Sequence, residues 1–230
     1  MLSTHGDTFL GGVDFDTVIT DLIVREIQRL SPDDYQTFCC LEGKTDAQRR
    51  KVQSFLTKLR KASVELKEEH LSSGGNAYLD LKEIDDKLKV DSVTIKYKSF
   101  AEASKHLFDR CMVCVDEALK KKGTDAESID TVYLVGGSSC FAELRQRLNT
   151  MFPGRVRGDL AGQKQVAKGD ALFGQGLTRS THPFEIKDVC PMSLGIAETI
   201  GNSRPFVKML IKGSTPVPVD SQVYVSRSSY

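Results

Sequence analysis

Two Gly-Gly pairs, each running into a helical pattern, constrain this chain more than any other feature. In the later one, Val132-Tyr133-Leu134-Val135 is a short apolar run of β-preferring residues, and Gly136-Gly137-Ser138-Ser139 turns the chain. Phe141, Leu144, Leu148 and Phe152 then recur at spacings of three and four until Pro153-Gly154 stops them. The pattern predicts a buried strand over 132–135 and a helix over 140–152. Such a connection brings backbone N–H groups and a helix N-terminus to one point, where an anion such as phosphate is favoured. Glycine there lets a ligand approach the backbone. Taken alone, the pattern more often marks an ordinary α/β connection than an anion site.

The earlier pair, Gly11-Gly12, closes a stretch over 1–12 that reads as a strand end and a glycine turn. Asp14 or Asp16 is placed to cap the helix that follows. Its apolar face is Phe15, Val18, Ile19, Leu22, Ile23, Ile27 and Leu30, and Ser31-Pro32-Asp33 ends it. Residues 33–45 read as irregular. A long helix is expected from Asp46 to Leu71, with Val52, Phe55, Leu56, Leu59, Ala62 and Leu66 inward. Arg49, Arg50, Lys51, Lys58, Arg60 and Lys61 read as its solvated face. Glu65, Glu68 and Glu69 near its C-terminus oppose the helix dipole.

After Ser72-Ser73-Gly74-Gly75, alternation over Ala77–Leu81 and Val93–Tyr97 predicts an antiparallel pair. Ser99-Phe100-Ala101-Glu102 reads as a capping box opening a helix through Lys122, with Gly123 as its stop. Asp159 to Thr178 reads as a helix whose Ala167, Ala171 and Gly174 would allow close packing on a sheet. His182-Pro183 begins a linker-like stretch. Short strands follow at 193–196, 206–211 and 222–226, with turns at Gly201-Asn202 and Thr215-Pro216-Val217-Pro218. The last 40 or so residues are too few for an independent β domain.

Composition excludes several classes. The formal net charge is +1, which gives no general pull toward nucleic acid or an anionic membrane. No run of eighteen apolar residues and no secretion-type N-terminus is present, so a cytoplasmic location is expected. Cys111 and Cys114 have the spacing of a metal or redox half-site, but they share an apolar helical face with Phe100, Leu107 and Ala118. They read as small core residues, and no metal site is expected.

Read together, the segments resemble the seventy-kilodalton heat-shock chaperones of the actin-like ATPase superfamily, over nearly the whole chain. Gly6-Asp7-Thr8-Phe9-Leu10-Gly11-Gly12-Val13-Asp14-Phe15-Asp16 is similar to the family's GDTHLGGEDFD segment. Leu71-Ser72-Ser73 follows the long helix as the family's LSS does. Val135-Gly136-Gly137-Ser138-Ser139 resembles its LVGGSTR segment, and Asp188 to Ile196 resembles its DVTPLSLGIE segment.

The resemblance implies an α/β fold: part of the second lobe of the ATPase domain over 1–178, the interdomain linker over 179–189, and the first strands of a substrate-binding β domain over 190–230. It also implies adenine-nucleotide contacts at Gly11, Gly12, Glu65, Ser72, Gly136, Gly137 and Ser138, with magnesium arriving only through the nucleotide. The family's first lobe, its phosphate loop, catalytic lysine and water-positioning residues have no counterpart in these segments, so no catalytic residue is assigned and no independent hydrolysis is expected.

Departures from the family pattern weaken the implied ATP or ADP site. Glu68 and Glu69 fall where the family has cations that pack on the nucleoside, with Lys67 one residue away, and Cys140 stands in the place of a base-stacking arginine. A cation–π interaction of this kind is worth roughly 0.5–2 kcal/mol. The family's NPDEAVA becomes Ala161 to Ala167 without its acidic residues, and Glu185, Lys187 and Asp188 interrupt the linker's apolar run.

Three readings follow from the resemblance: a divergent chaperone-family protein with residual nucleotide binding, a pseudo-ATPase module that engages a nucleotide-exchange factor through residues 46–122, and a non-functional gene fragment. The short β segment is not expected to hold unfolded polypeptide. With few sheet neighbours, the strand at 132–135 is expected to show an exposed apolar edge.

Overall fold

The computed structural model describes residues 3–158, 164–178, 188–190, 192–198, 206–213 and 215–217. The chain is mixed α/β and divides into two compact units. One takes residues 7–113 and 129–168, and the other takes the described parts of 1–6, 114–128 and 169–230.

The first unit is built on two long helices. In α1 (Gly12–Leu30), Phe15, Ile19, Ile23 and Ile27 are buried at every fourth position, one stripe of a 3.6-residue helix. In α3 (Asp46–Glu69), Val52, Phe55, Leu59, Ala62 and Leu66 are buried, and the six basic residues of the expected solvated face are exposed. Thr45 and Gln48 form a reciprocal capping box at the start of α3: the Gln48 N–H donates to Thr45 Oγ1 and the Thr45 N–H donates to Gln48 Oε1. Between the two helices Thr20 and Ser63 hydroxyls lie 2.9 Å apart in the core, each also within hydrogen-bond reach of the carbonyl four residues before it, so that one hydroxyl donates to the other and the second to its own helix carbonyl. Leu30, expected inward, is 46% exposed at the end of α1.

Residues 33–45 are more regular than the sequence suggests. The short helix α2 (Pro32–Asp34) opens with the Ser31 hydroxyl accepting from the Asp34 N–H, and a π-helical turn (Tyr35–Cys39) follows. The buried Asp34 carboxylate accepts the N–H groups of Lys89 and Val90, at 2.7 and 3.0 Å. No strand occurs over 3–12; that stretch is a turn in which the Asp7 carboxylate accepts the Phe9 N–H.

Strands β1 (Ala77–Asp80) and β2 (Ser92–Ile95) pair antiparallel, with alternating burial as expected. The next helix starts two residues before the anticipated Ser99 box. Asn76 Oδ1 accepts the Tyr97 N–H and supplies the cap from outside the helix. That helix, α4 (Tyr97–Ala103), is separated at Ser104 from α5 (Lys105–Lys122), which ends at Gly123. Cys111 and Cys114 on α5 are half-buried, so the core reading of this pair overstated its burial.

The sheet part of this unit is small. Strand β3 is only Val132–Tyr133, paired in parallel with β4 (Val156–Arg157). Tyr133 and Val135 are 75% and 55% exposed, whereas Leu134 is buried. The expected buried strand is therefore covered on one face only, and among the described residues β3 has a single partner strand. At the end of β4, Gly158 adopts φ +145, and a Cβ there would stand 3.0 Å from the backbone of Leu134. The helix after the second Gly-Gly begins later than predicted. A 3-10 turn (Gly137–Cys140) comes first, Phe141 caps, and α6 runs over Ala142–Met151.

Helix α7 covers Gln165–Thr178, and residues 159–163 lie outside the described set. Ala167 and Ala171 are exposed and Gly174 half-buried, so the expected close packing on a sheet is not what these small residues do. In the second unit β5 (Asp188–Val189) pairs antiparallel with β8 (Pro216–Val217), and β6 (Leu194–Glu198) with β7 (Phe206–Ile211). Pro216 and Val217, within the stretch expected as a turn, thus form a strand. Proline is tolerated there because, among the described residues, β8 has a partner on one side only and Pro216 needs to donate no ladder bond on the other. The anticipated linker start at 182–183, the Gly201-Asn202 turn and the strand at 222–226 fall outside the described residues.

Candidate functional site

The two glycine turns meet through an aromatic contact. Phe15, in the first turn of α1, lies 4.5 Å from Phe141 and 5.0 Å from Phe108, ring centroid to centroid. Phe100 adds a further ring 6.1 Å from Phe141. This cluster fixes the start of α6 against the start of α1, so the Gly11-Gly12 and Gly136-Gly137 turns face one another across a cavity. Arg147 on α6 secures the same arrangement from outside. It binds Glu143 at 2.7 Å and Asp109 at 2.5 Å and covers the Phe108 ring.

The cavity is about 260 Å³ in volume and is lined by Gly12, Lys67, Glu68, Ser72, Gly137, Ser138, Cys140 and Phe141. Of the residues singled out from sequence, Gly12, Ser72, Gly137 and Ser138 are brought together here. Gly11 and Gly136 flank the lining, while Glu65 is exposed and does not line it.

Each turn is held by its own bonds. The Gly11 N–H donates to the Asp14 carboxylate at 2.7 Å, so Asp14, at the third helical position, is the capping acid of α1. Gly136 adopts φ +85 and ψ 167, a conformation open almost solely to glycine. Its carbonyl accepts from the Ser139 N–H and hydroxyl at 3.2 and 2.7 Å. Arg145 donates to the carbonyls of Ser139 and Gly158, tying the turn to the end of β4. The Ser72 hydroxyl donates to the Glu68 carbonyl at 3.3 Å.

Lys67 and Asp16 set the electrostatics. Lys67 Nζ lies 2.6 Å from Asp16 Oδ1, each side chain 12% exposed, and donates to the Gly12 carbonyl at 3.3 Å. Asp16, expected as an alternative cap, is instead the buried counter-ion of Lys67. Nothing in the sequence signals a pair so far apart along the chain. A Cβ at Gly12 would stand 3.3 Å from Lys67 Nζ, so glycine leaves room for that ammonium. Lys67, not Glu69, is the α3 neighbour of Glu68 that reaches the cavity. Among the described residues no cluster of three or more His, Cys, Asp or Glu side chains forms a metal site.

Similarity to known proteins decides the family. The family model described as "Hsp70 protein" matches residues 1–228. The chain belongs to the Hsp70 family. It is 33% identical over 229 residues to the Chaperone protein dnaK1 of Prochlorococcus marinus subsp. pastoris, covering 99% of this chain. The chain spans 32% of that relative's length. It is thus a chaperone-family protein, and members of the family bind ATP or ADP with magnesium. No described helix is long and apolar enough to cross a membrane.

Proposed function

We propose that these 230 residues form part of the second lobe of an Hsp70 ATPase domain with the start of its β domain, and that they touch an adenine nucleotide weakly without hydrolysing it. The observation that carries this is the cavity itself. It assembles Gly12, Ser72, Gly137 and Ser138 from three separate segments, while the one cation in its lining among the described residues is already paired with Asp16. The residues fit the nucleoside side of a nucleotide: the backbone of Gly137 and Ser138 and the Ser72 hydroxyl would hold base and ribose. They do not fit the phosphate side. Phosphoryl transfer needs a phosphate clamp, held metal ions and an oriented water, and among the described residues the lining offers no group for those tasks.

The test is calorimetric titration of the purified chain with ADP and magnesium. Without two of the family's cationic stacking groups, a dissociation constant weaker than about 10 μM is expected. Tight, sub-micromolar binding would overturn this reading.

A second reading keeps the chain as a module that binds a nucleotide-exchange factor through residues 46–122. It is favoured by the intact outer part of the first unit: a capped 24-residue α3, the β1–β2 pair and a continuous buried core beneath them. Binding of an exchange factor together with an unchanged melting temperature in millimolar ATP would favour this reading, since a ligand of the native state must raise that temperature.

A further inference from the structure

We propose that two copies of this chain associate through the outer face of α3, laid antiparallel about a two-fold axis level with Leu59. This association does not depend on the nucleotide contact proposed above.

The charges of α3 are sorted along its length. From Ala47 to Val64 the helix carries Arg49, Arg50, Lys51, Lys58, Arg60 and Lys61 and no acidic residue, and beyond them come Glu65, Glu68 and Glu69. All of these side chains are exposed. The order does not serve the helix itself. Glu68 and Glu69 stand in the last turn, where the helix dipole favours cations. Lys61 and Glu65, one turn apart, run in the less favourable direction for such a pair. The ion pairs that α3 makes, Lys67 with Asp16 and Glu69 with His70, leave Arg50, Lys51, Lys61, Glu65 and Glu68 without a partner charge among the described residues. Arg49 and Lys58 are turned aside, donating to the carbonyls of Lys44 and Ile84.

A second copy supplies the missing charges. Arg50 and Glu68 are eighteen residues apart, five full turns, so they stand on one line of the helix. Ser54, Thr57, Lys61 and Val64 lie close to that line between them. Reversing a copy about Leu59 sets Arg50 opposite Glu68, Ser54 opposite Val64 and Thr57 opposite Lys61, each twice over. Lys51 then falls between Glu65 and Glu69 of the second copy. The basic half of each helix meets the acidic end of the other, and one face serves both copies, as a two-fold interface requires. A parallel pair would set Arg50 against Arg50 and Glu68 against Glu68. A nucleic acid or other long polyanion laid along α3 would run onto Glu65, Glu68 and Glu69, the residues that a second copy uses. One helix pair about 36 Å long buries less than the roughly 1,600 Å² of a standard interface, and exposed ion pairs are individually weak. The dimer is therefore weak and sensitive to salt.

The test is sedimentation equilibrium of the full chain up to about 200 μM, in about 50 and about 500 mM salt. It compares the wild type, Arg50→Glu, Glu68→Arg and an equimolar mixture of the two variants. Both positions are exposed, so neither substitution disturbs the core, and circular-dichroism melts check that each variant folds. The wild type is expected to dimerise with a dissociation constant of about 10–100 μM at low salt, weakened about tenfold or more at high salt. Each variant alone sets like charge opposite like charge and is expected to weaken the dimer about tenfold or more. The mixture is expected to regain the wild-type constant within about threefold, because each reversed charge again meets its opposite. A wild type that stays monomeric throughout at low salt overturns the association, and capture of polyglutamate by that monomer would assign the basic half to an acidic partner instead. Folded single variants that dimerise as the wild type does place any dimer on another surface and overturn it too. A mixture that stays monomeric while the wild type dimerises overturns the antiparallel pairing.

Discussion

The two sides of the candidate cavity are held in different ways. On the α1–α3 side, Phe15, Ile19, Ile23 and Ile27 pack with Phe55, Leu59, Ala62 and Leu66 in one core, to which successive turns of both helices contribute. On the β3–α6 side the sheet is two residues deep, Tyr133 and Val135 are open to water, and position depends on a few contacts: Phe141 on Phe15 and Arg147 on Asp109, with Arg145 tying the Ser139 turn to Gly158. A helical face can be complete within one stretch of chain. A sheet strand is complete only when both neighbours are there. The first side therefore keeps its shape by redundancy, and the second by a small number of pinning interactions.

The largest expected effect separates the sides most sharply. Phe15→Ala removes the ring shared by both and is expected to cost about 3–5 kcal/mol in denaturant unfolding, whereas Tyr133→Ala on the exposed strand stays within about 0.5 kcal/mol. Equal losses would show that β3 is buried in solution and would break the comparison. Next is Gly136→Ala, which forces an L residue into a glycine-only conformation at φ +85. A loss of about 1–3 kcal/mol is expected, with faster amide exchange confined to the 136–141 turn. Ser63→Ala, within the α1–α3 interface, leaves the Thr20 hydroxyl without its partner across the core and is expected to cost about 1–2 kcal/mol.

Two smaller effects sharpen the contrast without changing the fold. Burial, followed by the nearby Asp34 and Cys40, pushes the Cys39 thiol up to about 12. Cys39 should resist alkylation at pH 8 while Cys140, half-buried in the cavity lining, reacts, as mass spectrometry of the labelled peptides would show. A purine in the cavity should slow the Cys140 reaction and leave the other thiols unchanged.

Acid provides the last test. Hydrogen bonds from Lys105 and then Arg147 hold the Asp109 carboxyl below its ordinary value of 3.8. A depressed carboxyl contributes stability that is present above that ordinary value and lost as pH falls through the lower folded one. Asp109→Asn should therefore flatten the melting temperature's decline below about pH 4, and the effect should be small because the group is exposed.

The helical side was legible from residues alone because its signal is periodic and local. The inward faces of α1 and α3 follow from spacing, and so do the ends at Ser31-Pro32 and Gly123. Where bonds come from distant residues the sequence was silent. The cap on α4 comes from Asn76, the order over 34–39 is reinforced by the Asp34 carboxylate reaching Lys89 and Val90, and the cavity's charge balance comes from Asp16 reaching Lys67. Gly12, Ser72, Gly137 and Ser138 line the cavity because they sit in glycine turns or at a helix end, features that motifs preserve. Glu65 lies one turn before Glu68 on the exposed side of α3 and stops short of the lining. The apolar residues of 132–135 point to a buried strand, but burial of a strand depends on neighbours that its own sequence does not contain.

The most direct measurement is inorganic phosphate released from ATP and magnesium by the purified chain, freed of other chaperones. Release indistinguishable from the protein-free blank over hours is expected on the proposed reading, in which the cavity contacts a purine and clamps no phosphate. Steady, magnesium-dependent release that stays with this polypeptide through successive purification steps would contradict it.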